Sequence, residues 1–112
     1  MIKTYFLGFL LFLGSILIAQ STSIPDDNFE QALIDLGYDD TLDDSIPTAN
    51  ISNITLLNIA SLGIEDLTGI QAFTALTDLD VSYNNLFILD ISSNTALTYL
   101  NLHKNNLTNL DV

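Results

Sequence analysis

A short internal repeat is the feature that most constrains the fold of this 112-residue chain. Eight positions within residues 76–91 recur, matched in residue type and at a constant offset of 21, within residues 97–112. The matched pairs are Leu76 and Leu97, Leu79 and Leu100, Val81 and Leu102, Asn84 and Asn105, Leu86 and Leu107, Leu89 and Leu110, Asp90 and Asp111, and Ile91 and Val112. A looser copy lies upstream, beginning at Ile54 and with Leu62 at the asparagine position. A fixed period of this size predicts units that stack in one direction and share a continuous core.

Each copy contains the alternation typical of a short β-strand, because successive side chains of a strand point to opposite faces. Leu79 and Val81 are expected on the buried face in one copy, and Leu100 and Leu102 in the next. Stacked copies would form a parallel sheet with strands about 4.8 Å apart. The second half of each copy, which begins LDIS or LDV, is predicted to be another short extended segment rather than a helix.

Two asparagines and two aspartates recur where the chain turns. Asn84 and Asn105 follow the strands, and a side-chain amide can both donate to and accept from buried turn backbone. We expect them to form a structural ladder, since each unpaired backbone group would cost about 1–3 kcal/mol. Asp90 and Asp111 should stack one copy apart and accept turn N–H groups.

The pattern L-x-x-L-x-L-x-x-N-x-L-x-x-L resembles the short-period form of the leucine-rich repeat family, over residues 54–112. IPDDNFEQALIDLG and the repeats after it are similar to secreted leucine-rich repeat proteins of Bacteroidota, and GIQAFTAL resembles internalin-type repeats. The resemblance implies an α/β repeat solenoid with a parallel β-sheet, an N-terminal helical cap and a mostly non-helical convex side. The Leu62 departure indicates that the first copy is a transitional unit.

One helix is predicted ahead of the repeats, within DDNFEQALIDLG, after a linker over residues 21–25. Asp27 and Glu30 have the spacing of a capping box, and Gly37 suits the left-handed end of a helix. A helix of about ten residues is marginal alone, so its apolar face must dock downstream. The apolar residues at helical spacing are Phe29, Leu33 and Leu36, with Ala32 beside them.

An acidic loop follows the predicted helix, over residues 38–48. It holds Asp39, Asp40, Asp43 and Asp44, and calcium takes six to eight oxygen ligands. The alternating acids, central glycine and distal glutamate of an EF-hand are missing, so a solvated, turn-forming loop is the favoured interpretation and no cofactor is predicted. Calcium remains the alternative, both in this loop and between the Asp90 and Asp111 positions.

Residues 1–19 are predicted to be a secretory signal peptide, with one cation, Lys3, and an apolar run from Tyr5 to Ile18 that is short for a membrane span. Cleavage after Ala19 would leave no membrane insertion and a secreted or cell-surface product. We therefore expect a signal peptide over 1–19, a helix and acidic cap loop over 20–53, and repeats over 54–112. About two and a half repeats are visible, and we expect more beyond Val112 because solenoids need protected ends.

Charge and composition exclude several functional classes. Two Lys/Arg against 14 Asp/Glu give a net charge of −12, and the loss of Lys3 would make it 1 − 14 = −13. Nucleic-acid binding needs a basic surface, so it is excluded, as is docking on anionic lipid. The absence of cysteine removes disulfides, thiol nucleophiles and thiolate zinc sites.

The resemblance implies a binding face made by the exposed strand positions. Tyr83 and Tyr99 are the leading contact candidates, because aromatic rings dominate interfaces, although plain coverage of the sheet remains equally open. His103 is the only histidine, and stacking would bring it near Asp78 or Asp80 of the preceding repeat, but no nucleophile pattern or ligand cluster accompanies it. The exposed positions are Thr55, Leu56, Asn58 and Ala60, then Asp78, Asp80, Ser82 and Tyr83, then Tyr99, Asn101, His103 and Lys104.

These observations favour a non-catalytic extracellular or cell-surface module that binds a protein or a glycan. The alternative is a purely structural cap and spacer, whose binding surface would lie in repeats beyond this chain. An enzyme is a remote third.

Overall fold

The computed structural model describes residues 19–112, so the predicted signal peptide, apart from Ala19, lies outside the described residues. The repeats form two parallel sheets. Strands β3 (Leu56–Asn58), β4 (Asp78–Asp80) and β6 (Tyr99–Asn101) make the first, in the order β3-β4-β6. Strands β5 (Ile88–Asp90) and β7 (Asn109–Asp111) make the second. The predicted parallel sheet and the second extended segment are both confirmed.

The core lies between these two sheets, as the alternation predicted. Leu79 and Val81 are completely buried, and Leu89 of β5 is almost so. Leu100 and Leu102 are partly buried and pack against the same cluster. Complete burial of one leucine contributes about 1.5–3 kcal/mol, so these short strands depend on packing for their stability.

The N-terminal helix, α1 (Asp27–Asp35), begins one residue earlier than predicted. Its N-cap is Asp26, whose Oδ1 accepts hydrogen bonds from the N–H groups of Asn28 (2.9 Å) and Phe29 (3.1 Å). The predicted capping box of Asp27 and Glu30 is therefore wrong. A capping box needs its first acid at the N-cap, and the Glu30 carboxylate is used by the acidic loop instead.

The apolar face of α1 docks on the repeats through Phe29, whose ring centroid lies 6.1 Å from that of Phe73. Leu33 and Ala32 are also buried, as the helical spacing predicted. Leu36 is half-exposed, so its predicted burial is wrong. It is the C-cap residue, where the chain leaves the helical path toward Gly37 at φ +87°.

Residues 21–25 do not form the predicted linker. Strand β1 (Ser21–Ser23) pairs antiparallel with β2 (Ser45–Pro47), at the end of the predicted acidic loop. Ile24 and Ile46 are completely buried, and their burial requires that the neighbouring backbone be paired. The acidic loop therefore ends where β2 begins, at Ser45, and is shorter than predicted. Short helical turns of the 3₁₀ type occupy Thr48–Asn50 and Ile70–Ala72.

The first repeat is longer than the second by a single residue, and the extra residue lies near Gly69. The offset between Leu67 and Leu89 is 22, whereas the offset between Ile70 and Ile91 is 21. Gly69 has φ +108°, and a Cβ there would lie 2.7 Å from the Ser23 carbonyl oxygen and would collide with the Ile24 side chain. Only glycine allows the N-terminal segment to approach this closely.

Candidate functional site

The exposed face of the β3-β4-β6 sheet brings together most of the residues predicted to bind. The strand register places one residue from each strand in a row across the sheet. Side chains in such rows are direct neighbours, because adjacent strands lie about 4.8 Å apart. The two rows are Leu56, Asp78 and Tyr99, and then Asn58, Asp80 and Asn101.

The first row forms a shallow hollow of about 230 Å³. Leu56 and Tyr99 stand on either side of Asp78 and expose 63% and 51% of their surface. The Asp78 carboxylate accepts a hydrogen bond from the Thr77 hydroxyl (2.7 Å). The hollow thus has an aliphatic wall, an aromatic wall and a carboxylate between them.

Asp80 contributes a second carboxylate to the hollow and is held by its neighbours. Its Oδ1 accepts hydrogen bonds from the Ser82 hydroxyl (2.6 Å) and the Ser82 N–H (2.9 Å). These bonds, with a further one from the Asn101 side chain, hold the pKa of the Asp80 carboxyl below its usual value, so it is ionised at neutral pH. Ser82 itself is buried, so its predicted place on the exposed face is wrong. Its hydroxyl points at Asp80 rather than outward.

Tyr83, His103 and Lys104 lie at the end of the sheet where the chain turns. Tyr83 and Lys104 both have left-handed backbone, with φ 57°. The His103 ring stands edge-on to the Tyr83 ring, with centroids 5.6 Å apart. Within residues 19–112 the imidazole makes no hydrogen bond to Asp78 or Asp80, and the carboxylate of Asp80 is engaged by Ser82. Tyr83 and His103 therefore form an exposed aromatic pair at the rim of the face.

The asparagines of the repeats link successive turns. Asn84 Oδ1 accepts from the N–H groups of Leu62 and Ile64 (3.0 Å each), and its Nδ2 donates to the carbonyls of Ile59 and Val81 (2.9 Å each). In the next unit, Asn105 accepts from the Leu86 N–H (3.0 Å) and donates to the carbonyls of Val81 (2.9 Å) and Leu102 (3.1 Å). Each amide therefore joins its own turn to the preceding unit.

A third buried asparagine was missed by sequence reasoning. Asn94 lies on the opposite side of the solenoid, and its Nδ2 donates to the carbonyls of Ile70 (2.9 Å) and Phe73 (3.0 Å). It bridges two units as Asn84 does. Its equivalent one repeat earlier is Phe73, so no repetition in the sequence marked it.

Glu30 is the other polar residue that sequence reasoning placed wrongly. Its side chain is completely buried, and its carboxylate accepts the N–H groups of Asp44 (2.8 Å), Asp43 (3.3 Å) and Ser45 (3.3 Å). Burial raises the pKa of the Glu30 carboxyl, and a side-chain hydrogen bond with Asp39 adds to the rise, while the backbone N–H groups oppose it. Glu30 is thus the centre around which the acidic loop folds.

Carboxylates of α1 and of the acidic loop come close enough for metal binding in two groups. Asp27, Glu30 and Asp44 form one, and Glu30, Asp39 and Asp43 the other, with ligand oxygens within 4.8 Å of one another. Both groups depend on Glu30, whose oxygens already accept three backbone N–H groups. The hydrogen bonds by which Glu30 holds the loop are therefore enough to explain why these carboxylates lie close together.

Asp90 and Asp111 pair across β5 and β7, as the spacing predicted. Asp90 Oδ1 accepts the N–H (2.9 Å) and the hydroxyl (2.6 Å) of Ser92. These bonds lower the pKa of the Asp90 carboxyl. The predicted role of Asp90, accepting N–H groups of the turn, is confirmed.

In the described part of the chain, no helix is both long enough and apolar enough to cross a bilayer. No model of a protein family matches the sequence. The chain is 42% identical to internalin J of Listeria monocytogenes over 71 residues, which cover 63% of this chain and 8% of that protein. It therefore corresponds to a small part of the length of this relative.

Two solved structures show the same fold. The functional domain of internalin J from Listeria monocytogenes superposes with a TM-score of 0.71 at 39% identity, over 87% of this chain and 22% of that one. Internalin C2 of Listeria monocytogenes gives a TM-score of 0.63 at 26% identity, over 81% of this chain and 42% of that one. The chain thus shares the repeat-solenoid fold of these internalin domains. The internalin J domain is described as including a cysteine ladder, whereas this chain has no cysteine and bridges its units with asparagines.

Proposed function

We propose that the exposed face of the β3-β4-β6 sheet binds a protein ligand that presents a basic side chain. The observation that carries the proposal is the row of Leu56, Asp78 and Tyr99, in which two large apolar side chains are more than half exposed on either side of a carboxylate. Exposed apolar groups with a polar rim mark interaction sites, and tyrosine is enriched among the residues that dominate binding energy.

The chemistry of the hollow selects a positively charged side chain. An arginine or lysine would lay its aliphatic stem against Leu56 and its cationic head between Tyr99 and the carboxylates of Asp78 and Asp80. Charge-assisted hydrogen bonds to carboxylates are about twice as strong as neutral ones. The net charge of −12 would also steer a basic ligand toward the protein.

This role is recognition without catalysis, at the cell surface or outside the cell. The apolar run in residues 1–19 and the resemblance to secreted repeat proteins of Bacteroidota support export. Similarity to internalin J supports a surface or binding repeat module. His103 contacts Tyr83 rather than an aspartate, which supports a binding role for this rim.

We also propose that residues 20–53 cap the repeats of residues 54–112. Asp26 Oδ2 accepts the N–H groups of Glu65 (2.9 Å) and Asp66 (3.0 Å). Asn28 donates through its side chain to the Gly63 carbonyl (3.0 Å). Together with the docking of Phe29, these contacts cover the first repeat from the N-terminal side.

The binding proposal is tested by selecting peptides on the purified protein from a displayed random library and measuring their affinity by calorimetry. The selected sequences should share an arginine or lysine. Tyr99→Ser and Leu56→Thr should each weaken binding about tenfold, equal to about 1.4 kcal/mol. Leu42→Thr is the matched control, because Leu42 is also an exposed leucine (48%) but lies in the loop between α1 and β2.

Three outcomes would contradict the proposal. Selection of no peptide would favour the structural spacer. Binding on a glycan array that Tyr99→Ser abolishes would favour a glycan ligand on the same face. Loss of peptide binding in Ile88→Thr, with Tyr99→Ser unaffected, would place the site on the second sheet.

A further inference from the structure

The two junctions between the three repeat units differ on one side of the solenoid. The first junction contains the β3–β4 pair and, in the turn beyond it, a hydrogen bond from Asn85 N–H to the Ile64 carbonyl (2.8 Å). The second contains the β4–β6 pair and the equivalent bond from Asn106 N–H to the Leu86 carbonyl (3.0 Å). The second junction continues into the β5–β7 sheet. At the first junction, no backbone hydrogen bond of the described residues joins β5 to residues 65–69. Strand β5 therefore has one paired edge and one free edge.

The direction of the backbone groups shows which of them lie on the free edge. The Phe87 carbonyl accepts from Thr108 N–H (2.8 Å), and Ile91 N–H donates to the Asp111 carbonyl (2.9 Å), so the odd-numbered residues face β7. Backbone groups alternate in direction along a strand. The N–H and C=O groups of Ile88 and Asp90 therefore point away from β7, toward the first repeat.

Fixed contacts hold the first repeat away from this edge. The N–H groups of Glu65 and Asp66 are taken by Asp26. Further along, Gly69 N–H donates to the Gln71 side chain (3.0 Å). The N–H of Ile70, which is equivalent to the Ile91 N–H that reaches β7, donates to the Leu67 carbonyl (2.9 Å). These N–H groups all have acceptors in the N-terminal segment or within the first repeat, so the gap is part of the folded structure.

The gap is a groove of about 400 Å³ between the first repeat and β5. Phe87 and Ile88 expose 53% and 64% of their surface beside it. The carboxylates of Glu65, Asp66 and Asp90 belong to residues that line it, and no basic residue does. The groove combines an unpaired strand edge, exposed apolar side chains and acidic walls.

We propose that this groove binds an extended basic segment of a partner protein, which adds to the free edge of β5 as an extra strand. Strand addition supplies partners to the N–H and C=O groups of Ile88 and Asp90. Alternate side chains of the segment would contact Phe87 and Ile88, and basic side chains would meet the acidic walls. Charge disfavours a second copy of this chain, because its net charge is −12.

The test uses a fluorescein-labelled heptapeptide of alternating lysine and valine, with anisotropy as the readout. Two comparison peptides carry glutamate in place of lysine, or N-methyl groups on alternate backbone nitrogens. Ile88→Pro removes an N–H from the free edge and leaves the groups that face β7, and we expect binding to weaken about tenfold. Glu65→Lys, whose side chain makes no hydrogen bond within residues 19–112, should weaken it severalfold.

Leu42→Thr is the matched control, because Leu42 is an exposed leucine (48%) in the loop between α1 and β2, and it should bind the peptide as the wild type does. The lysines of the peptide could also bind the proposed face of the first sheet. Leu56→Thr separates the two sites, because the part of the binding that Ile88→Pro weakens should remain in this variant. Amide hydrogen exchange supplies a second readout. The N–H groups of Ile88 and Asp90 should exchange rapidly in the free protein and slowly with peptide bound. Those of Leu89 and Ile91 should be protected in both states and in Ile88→Pro. If Ile88→Pro loses that protection, the substitution has disturbed the β5–β7 pairing itself. The effect of Glu65→Lys on peptide affinity then tests the proposal instead.

Several results would overturn the proposal. They are equal affinity for the N-methylated peptide, no binding to the wild type at about 1 mM peptide, or loss of binding in Leu56→Thr alone. Sedimentation that shows a dimer of the wild type, absent in Ile88→Pro, would identify a second copy as the occupant instead.

Discussion

Single amides join the stacked turns of this solenoid to one another. Asn84 and Asn105 each bond to backbone of their own unit and of the unit before. Their position was predictable, because the asparagine recurs at a fixed offset in the repeat. On the other side of the molecule the Asn94 side chain bonds to backbone of the unit before, and because this asparagine does not recur in the sequence only the structure reveals it.

Replacing one ladder amide should destabilise the whole chain. Asn105→Leu leaves the Leu86 N–H and two carbonyls without their partner in a half-buried turn. We expect a loss of about 2 kcal/mol in the free energy of unfolding, measured with urea. Asn106→Leu is the control, because Asn106 is the next residue in the chain and its side chain is exposed and makes no hydrogen bond within residues 19–112. Equal urea midpoints for the two variants would contradict the ladder role.

The buried carboxyl of Glu30 should make stability depend on pH. Because burial raises its pKa, the folded protein holds this proton more tightly than the unfolded chain does. The stability that the proton provides is present below the ordinary pKa of 4.5 and is lost as the pH rises through the folded-state pKa. Glu30→Gln should therefore flatten the decline of unfolding free energy above pH 4.5.

The control for this pH prediction is Glu65→Gln, which removes an equal charge from an exposed side chain. Its pH profile should keep the slope of the wild type. If Glu30→Gln kept that slope as well, the buried carboxyl would not be its source.

Between elements, the helix α1 and the first repeat share one carboxylate. Asp26 Oδ1 caps α1, and Oδ2 accepts the N–H groups of Glu65 and Asp66. The sequence predicted a helix here but placed its cap one residue late, because Asp26 and Asp27 are both acids that can cap. The second role of Asp26 could not be predicted, since nothing in the neighbouring sequence indicates a contact with residues about 40 positions away.

Two substitutions separate the roles of Asp26. Asp26→Asn keeps an oxygen that can cap α1, but its NH₂ group cannot accept from Glu65 and Asp66. Asp26→Ala loses both functions, and loss of an N-cap alone costs about 0.5–2 kcal/mol. We expect thermal stability to fall from wild type to Asp26→Asn and again to Asp26→Ala. Asp27→Asn should cost less than either, and equal stability of the two Asp26 variants would contradict a shared role.

The close approach of β1 to the first repeat should make Gly69 irreplaceable. Gly69→Ala places a Cβ 2.7 Å from the Ser23 carbonyl oxygen, in addition to the strain of φ +108°. Gly37 is the matched control, because it has φ +87° but no atom within 4 Å of a Cβ. We expect Gly37→Ala to cost about 1 kcal/mol and Gly69→Ala clearly more, by urea unfolding. Equal costs would show that the N-terminal segment does not press on this glycine.

In the whole molecule, periodicity determined which parts the sequence could predict. The two sheets and their inward-facing leucines follow from the internal repeat. The pairing of β1 with β2 does not repeat, and neither do the contacts that Asp26 and Gly69 make with segments far away in sequence. The free edge of β5 faces the repeat that makes these contacts. The residues of the two exposed rows were all predicted to lie on the exposed face. Ser82 was predicted there too, but it is buried and its hydroxyl donates to Asp80.

The exposed rows give the molecule one surface where apolar and acidic side chains from three units meet. Leu56, Asp78 and Tyr99 come from three separate repeats, and the sheet register alone makes them neighbours. A ligand of this surface should therefore be sensitive to any change that disturbs the stacking, including Asn105→Leu.

The most direct test of the account is an NMR titration of the ¹⁵N-labelled protein with a library-selected peptide that contains arginine or lysine. We expect the largest amide shift changes in β3, β4 and β6, centred on Leu56, Asp78 and Tyr99, and we expect them to vanish when norleucine replaces the basic residue. Shift changes confined to other parts of the chain, or unchanged binding of the norleucine peptide, would contradict the claim that this face recognises a basic side chain.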